Sequence, residues 1–147
     1  MFKAISNLFA NPKQSKEQPI DTKLAVAALL VHLTDIDGET TKKEQEIVSN
    51  VLREHFQLDA AQVEELIKSA HVKDDEAVDF YQFTSIITRL EMEQRIKIIA
   101  MMWQVVFADG KNHELEDNMI WRVAELIGVS SRDRTKLRSQ IARELSK

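Results

Sequence analysis

Large apolar side chains recur every three or four positions from residue 21 almost to the end of the chain, and this spacing constrains the fold most. It places the apolar side chains on one face of successive α-helices. No long stretch alternates apolar and polar side chains as a half-buried strand would. The 147 residues also include only 3 Gly and 2 Pro, too few for the many tight turns of a multistranded sheet. The sequence therefore predicts an all-α fold.

The apolar pattern divides into about seven helical segments, which we expect to form a compact bundle. The first segment is apolar on almost every side, which places it at the centre. The run from Lys73 to Glu76 interrupts the pattern and predicts a polar joint after the third helix. The predicted helices cover about 21–35, about 42–56, a third from the cap Asp59, a fourth through Phe83, a fifth through Trp103, about 114–127 and a seventh from Ser130.

The first 20 residues differ from the rest and are predicted to form a separate unit. Both prolines, Pro12 and Pro19, lie in a polar stretch that is typical of a linker. The residues before the linker carry one apolar stripe at helical spacing, made by Phe2, Ile5, Leu8 and Phe9. We therefore expect an N-terminal amphipathic segment and Pro-containing linker at 1–20 and a helical domain at 21–147.

Two interpretations of the apolar stripe remain open. The first is a short helix that docks on the domain or on a second copy of the chain, which would make a homodimer. The second is an anchor at a membrane surface, as in a peripheral membrane-associated complex. With one Lys, the segment lacks most of the basic face that interfacial helices usually carry.

Composition excludes several classes of function. The absence of Cys excludes a disulfide framework, a thiol nucleophile and a cysteine-based metal site. The net charge of −4 argues against a general nucleic-acid binder. The longest apolar run, Leu24 to Val31, is far shorter than the roughly 20 residues of a membrane-spanning helix, and no secretion signal is recognisable. We expect a cytoplasmic protein.

The chain contains an internal repeat. A shift of 72 residues superposes the surroundings of Asp37-Gly38 on those of Asp109-Gly110. Each copy has an apolar helix, an Asp-Gly pair, five residues, a Glu and a second apolar helix, the two Glu being Glu44 and Glu116. With a one-residue gap, the correspondence continues, with Leu58 on Val129 and Leu66 on Leu137. The repeat predicts a bundle built from two pseudo-symmetric helical halves.

A structural role would explain the repeated corner. The glycines can adopt positive φ and end the preceding helix. In the first copy, Thr41 and Glu44 form the signature of a capping box at the start of the next helix. In the second copy His113 replaces Thr41, yet Glu116 is kept. Its presence hints at another role, although an acidic first turn also suits the helix dipole.

The alternative is a metal site. Carboxylates beside a tight turn are ligands that hard divalent cations such as Ca²⁺, Mg²⁺ or Mn²⁺ prefer. The candidate ligands are Asp37, Glu44, Asp109 and Glu116. Their spacing does not match an EF-hand loop. From spacing alone, both the structural and the metal-binding interpretations stay open.

The paired corners, the Met-Trp-Gln-Val-Val-Phe-Ala-Asp-Gly-Lys run from Met102 and the Val-Ala-Glu-Leu-Ile-Gly-Val run from Val123 resemble the tellurite-resistance protein B (TerB-like) family. The resemblance covers about residues 21–145. It implies an all-helical, usually bacterial domain of two similar halves, without known catalysis. Similar domains are tied to tellurite and stress resistance, to membrane-associated complexes thought to sense metals, and to some membrane-anchored J-domain co-chaperones.

The resemblance also implies that the four corner carboxylates, Asp37, Glu44, Asp109 and Glu116, are the metal ligands. The sequence departs from the family pattern at Lys111, where the first copy has Glu39, and at His113. These two departures predict a weaker second site.

Catalytic chemistry finds little support in the sequence. No zinc-binding His-Glu-x-x-His motif, Gly-x-Ser-x-Gly elbow or phosphate-binding Gly-rich loop occurs. His32 is interpreted as a core or interface histidine, and His55 and His71 as residues near helix ends. We therefore predict a non-enzymatic module that acts through protein partners.

Two features offer a partner surface. Trp121 lies off the apolar line of its helix and is predicted to be partly exposed. The basic side chains of the last helix are interpreted as a solvated face, with an acidic or phosphate-rich partner as the alternative. Trp103, Met101, Met102 and Phe107 are interpreted as core residues.

Overall fold

A computed structural model describes residues 20–36, 41–77, 79–107 and 114–145. These residues form seven α-helices and no strand, which confirms the predicted all-α bundle. The helices are α1 (Thr22–Asp35), α2 (Lys42–Phe56), α3 (Ala60–Glu76), α4 (Tyr81–Ile87), α5 (Met92–Val106), α6 (Glu114–Leu126) and α7 (Ser131–Leu145).

Side chains cap the helices where the sequence predicts it. The Asp59 carboxylate accepts a hydrogen bond of 2.8 Å from the Gln62 N–H, and the Gln62 side chain accepts one of 2.9 Å from the Asp59 N–H. At the start of α7, the Ser130 hydroxyl accepts a bond of 3.1 Å from the Asp133 N–H. These bonds satisfy amides that have no partner within the helix, so they set where α3 and α7 begin.

The second helix of each half ends in a left-handed residue. Gln57 follows α2 with φ 55°, and Gly128 follows α6 with φ 79°. The amide of the residue that follows each of them donates a hydrogen bond to the carbonyl oxygen five residues earlier. The nitrogen–oxygen distance is 3.0 Å for the Leu58 amide and 2.8 Å for the Val129 amide. This is the Schellman pattern that closes a helix C-terminus. The prediction of Gly128 as a left-handed cap is confirmed, and Gln57 occupies the equivalent position in the first half.

Helix α1 lies at the centre of the bundle, as its apolar sequence predicts. It packs most extensively on α3 and α4, and it also contacts α2, α5 and α6. All its residues from Leu24 to Val31 are buried, together with Leu33 and Thr34. Because so much apolar surface leaves water here, this helix contributes a large share of the hydrophobic stabilisation.

The two halves have the same helix order and the same packing. In the first half α1 packs mainly on α3 and also on α2; in the second half α5 packs mainly on α7 and also on α6. Contacts of α5 with α1 and with α2 join the halves into one core. The short helix α4 lies between the halves in sequence and packs on both α1 and α6.

The predicted polar joint at Lys73 to Glu76 is wrong, because α3 continues through all four residues. Lys73 is buried, and the Asp74 carboxylate contacts the His32 ring on α1. The sequence pattern missed the continuation because a charged run usually faces solvent, whereas here only Asp75 and Glu76 are exposed.

Candidate functional site

The structure describes two of the four predicted ligands. Glu44 lies in the first turn of α2, and Glu116 lies in the first turn of α6. Asp37 and Asp109 lie outside the described residues, as do the rest of both corners (37–40 and 108–113) and the predicted N-terminal segment before Ile20.

Glu44 is buried and takes part in a capping box. Its side chain is only 3% exposed. Its Oε1 atom accepts hydrogen bonds from the Thr41 N–H at 3.1 Å and from the Thr41 hydroxyl at 3.0 Å. In return, Thr41 Oγ1 accepts a bond of 3.1 Å from the Glu44 N–H. The predicted capping box is therefore confirmed, and it fixes the Glu44 carboxylate at the start of α2.

Glu116 is buried to the same degree at the equivalent position of the second half, with 1% exposure. Its neighbour Asp117 forms an ion pair of 3.3 Å with Arg138 of α7. The first turn of α6 also includes Glu114, so three carboxylates lie at this helix start. A negative first turn is favoured by the helix dipole.

The chemistry of these side chains fits a hard divalent cation. Carboxylate oxygens are the ligands that Ca²⁺, Mg²⁺ and Mn²⁺ prefer. A buried carboxylate also gains from a nearby positive charge, because burial otherwise penalises its ionised form. Within the described ranges, no three His, Asp or Glu side chains come close enough to hold a metal ion, so Glu44 and Glu116 would need the corner residues to complete a site.

A histidine and an aspartate meet on α1 and α3, which sequence reasoning missed. His32 Nδ1 lies 2.8 Å from Asp74 Oδ1, and the His32 ring also packs against Phe80 at 6.0 Å between centroids. Burial raises the pKa of Asp74, and the contact with His32 partly opposes this shift. The expectation of His32 as a core or interface histidine is confirmed as an interface position, because the half-buried ring contacts Asp74 of α3 and Phe80. No local signal identifies Asp74 as its partner, because 42 residues separate the two.

The tryptophans of the second half lie in a cleft between α5, α6 and α7. Trp103 is 2% exposed and stacks on Phe107 at 5.7 Å, which confirms its predicted core position. The Arg138 guanidinium lies 5.2 Å above the Trp103 ring. Trp121 is 42% exposed, as predicted, and Arg134 lies 5.5 Å above its ring. Two arginines of the last helix therefore cover aromatic rings instead of only facing solvent.

In the described part of the chain, no helix combines the length and apolarity needed to cross a bilayer.

A comparison with known protein families covers most of the helical bundle. The profile of the family described as tellurite resistance protein TerB matches residues 23–139. The chain belongs to the TerB family. Searches of curated proteins and of solved structures gave no significant match. The TerB match begins in α1 and ends within α7, so both halves described above belong to one TerB domain.

Proposed function

We propose that this TerB domain binds divalent cations at its two acidic corners and acts as a non-enzymatic, cytoplasmic module in stress or tellurite resistance. The proposed ligands are Asp37 and Glu44 in the first half and Asp109 and Glu116 in the second. One observation carries the proposal: both Glu side chains are buried at equivalent positions, in the first turn of a helix that follows an Asp-Gly pair.

The second half repeats the buried carboxylate of the first. Thr41 forms the capping box with Glu44, and the residue that matches Thr41 in the second half is His113. Glu116 is as buried as Glu44. A cation would offset the cost of burying both carboxylates, since opposite charge favours the ionised form. We expect Ca²⁺, Mg²⁺ or Mn²⁺, because the proposed ligands are all carboxylates.

The two sites should differ in affinity. The first corner carries Glu39, and the matching residue in the second corner is Lys111. A negative charge near a cation site strengthens binding, and a positive charge weakens it. The first corner is therefore the stronger proposed site.

Calorimetry and thermal unfolding with each cation test the proposal. We expect an added cation to raise the melting temperature of the wild-type domain. Asp37→Asn should remove most of this increase and Asp109→Asn a smaller part. Asp59→Asn is the matched control, because it removes a carboxylate at another helix start while Asn remains a good N-cap. If no cation binds and no cation changes the melting temperature, the proposal is wrong.

Glu44→Gln separates cation binding from capping. A Gln side chain can still accept the hydrogen bond from the Thr41 N–H, so stability without cation should change by less than about 1 kcal/mol. The increase in melting temperature with cation should nevertheless fall, because the charge is gone. An unchanged cation response in this variant would exclude Glu44 as a ligand.

A metal-independent interaction scaffold is the second candidate function. It is favoured by the capping box, which accounts for the position of Glu44 without a cation, and by the exposed face of Trp121. Co-purification in the presence of a chelator, with wild type and Trp121→Ala, distinguishes the candidates. A protein partner that is retained with chelator and lost with Trp121→Ala would support the scaffold.

A further inference from the structure

A groove runs between α1, α2 and α3 of the first half, and we call it the first-half groove. Its volume is about 440 Å³, within the ~300–1,000 Å³ of pockets that bind small ligands. The exposed side chains at its edge include Arg53, Lys68 and His71. The apolar side chains that line it are Val31, Val48, Ala60, Val63 and Ile67.

The matching cleft of the second half is lined by large side chains of the chain itself. The repeat aligns the lining residues Val31, Ser49, Val63 and Ile67 of the first half with Trp103, Trp121, Arg134 and Arg138. The two tryptophans and two arginines pack on each other there and leave about 340 Å³. At these positions the second-half cleft carries aromatic rings and guanidinium groups, whereas the first-half groove has smaller side chains and an apolar space.

We propose that the apolar stripe of residues 2–9 docks in the first-half groove of its own chain. The stripe consists of Phe2, Ile5, Leu8 and Phe9 at helical spacing. An amphipathic helix that lays such a stripe into an apolar groove is a common mode of recognition. Docking would cover the groove in the first half as Trp103 and Arg138 cover its counterpart in the second.

The chain is long enough for this arrangement. Asp21, the cap of α1, borders the same surface as Ala61 and Gln62 at the start of α3. Ala60, one residue earlier, lines the first-half groove on the other side of α3. The linker 11–19 can span up to ~30 Å when extended, whereas a helix with its side chains is ~10–12 Å wide. The linker can therefore pass around the start of α3 and deliver the stripe to the groove.

A single spin label tests the proposal in the full-length protein. The chain has no Cys, so Asn7→Cys introduces a unique attachment site for a nitroxide on the polar side of the stripe. We expect the label to broaden the amide NMR signals of residues at the groove, such as Ser49 and Lys68. The amides of the matching cleft, such as Trp121, should keep their intensity. Broadening centred on another surface, or on none, would overturn the proposal.

Two sets of variants and a mixed sample complete the experiment. Ser49→Trp with Ile67→Arg places in the groove the residue types of the matching Trp121 and Arg138, and we expect these larger side chains to abolish the broadening at Lys68. If that variant does not fold, Leu8→Ser with Phe9→Ser in the labelled segment should give the same loss. In a mixture of labelled, NMR-silent chains with unlabelled, isotope-enriched chains, no broadening is expected. Broadening in the mixture would show docking on a second copy and would overturn docking within one chain.

Discussion

Gln57 and Gly128 show how the same backbone demand is met by different residues. Both lie in the left-handed region, where a side chain with a Cβ costs about 1 kcal/mol or more and glycine does not. At Gly128 an added Cβ would lie 3.4 Å from Arg95 Nη1, which is an ordinary van der Waals distance. The cost of a larger residue there comes from the backbone rather than from a collision.

Substitutions at these two positions should change the free energy of unfolding in opposite directions. We expect Gln57→Gly to raise the free energy of unfolding by about 0.5–1 kcal/mol and Gly128→Ala to lower it by about 1 kcal/mol. Urea unfolding followed by circular dichroism measures both changes. Equal effects of the same sign would contradict this account of the two helix ends.

Local rules make a helix cap predictable from sequence when the side chain of the capping residue forms the hydrogen bond. The caps Thr41, Asp59 and Ser130 could be assigned because each acts on an amide three residues away. Gln57 could not, because nothing in its side chain demands positive φ and only the repeat aligns it with Gly128. The contact of His32 with Asp74 could not either, since the bundle has to form before these residues meet.

At the scale of elements, the pair His32 and Asp74 joins α1 to α3. Asp74 loses solvation when the helices pack, so its pKa is raised above 3.8 in the folded protein. The folded state then binds the Asp74 proton more readily than the unfolded state. Its contribution to stability is present below pH 3.8 and is lost as the pH rises through the folded-state pKa.

Asp74→Asn should therefore remove the pH dependence of stability that comes from ionisation of Asp74. We expect the wild type to lose stability relative to this variant as the pH rises from about 3.5 to 7, because only the wild type has to ionise a buried carboxyl. Urea unfolding over this pH range measures the difference. His32→Gln provides a second check, because removal of the imidazole should raise the pKa of Asp74 further, as read by carboxyl carbon NMR. A pH-independent difference between wild type and Asp74→Asn would contradict the expectation.

At the scale of elements, sequence patterns predicted all seven helices but misplaced the end of α3. Apolar periodicity reports how a helix faces the core, and it is clear for α2 and α6, whereas α1 is apolar on almost every side. It fails where charged side chains leave the solvent, as Lys73 does by burial and Asp74 by its contact with His32. The candidate metal site was predicted only as a set of residues, because ligand geometry depends on how two corners and two helix starts come together.

At the scale of the whole molecule, the halves share one core. α1 of the first half contacts α5 and α6 of the second, and α2 contacts α5. Neither half can open without exposing the apolar surface of the other. We therefore expect a single cooperative unfolding transition for the helical bundle.

Leu30→Ala tests this cooperativity. Leu30 is fully buried on α1, so the substitution should cost about 2–5 kcal/mol. Both tryptophans, Trp103 and Trp121, lie in the other half, and their fluorescence midpoint in urea should shift as far as the circular dichroism midpoint. Leu115→Ala is the control, because Leu115 is 56% exposed and its loss should change stability by less than about 0.5 kcal/mol. A fluorescence midpoint that stays unchanged in Leu30→Ala would mean that the halves unfold separately.

The different linings of the two matching clefts limit the number of helices that can dock on one chain. A twofold-symmetric domain would normally offer each binding surface twice. Here Trp103, Arg138 and their neighbours line one copy of the surface with aromatic rings and guanidinium groups, while smaller side chains line the other copy. A helix that fits the first-half groove can therefore bind once per chain, which makes a duplicated fold monovalent.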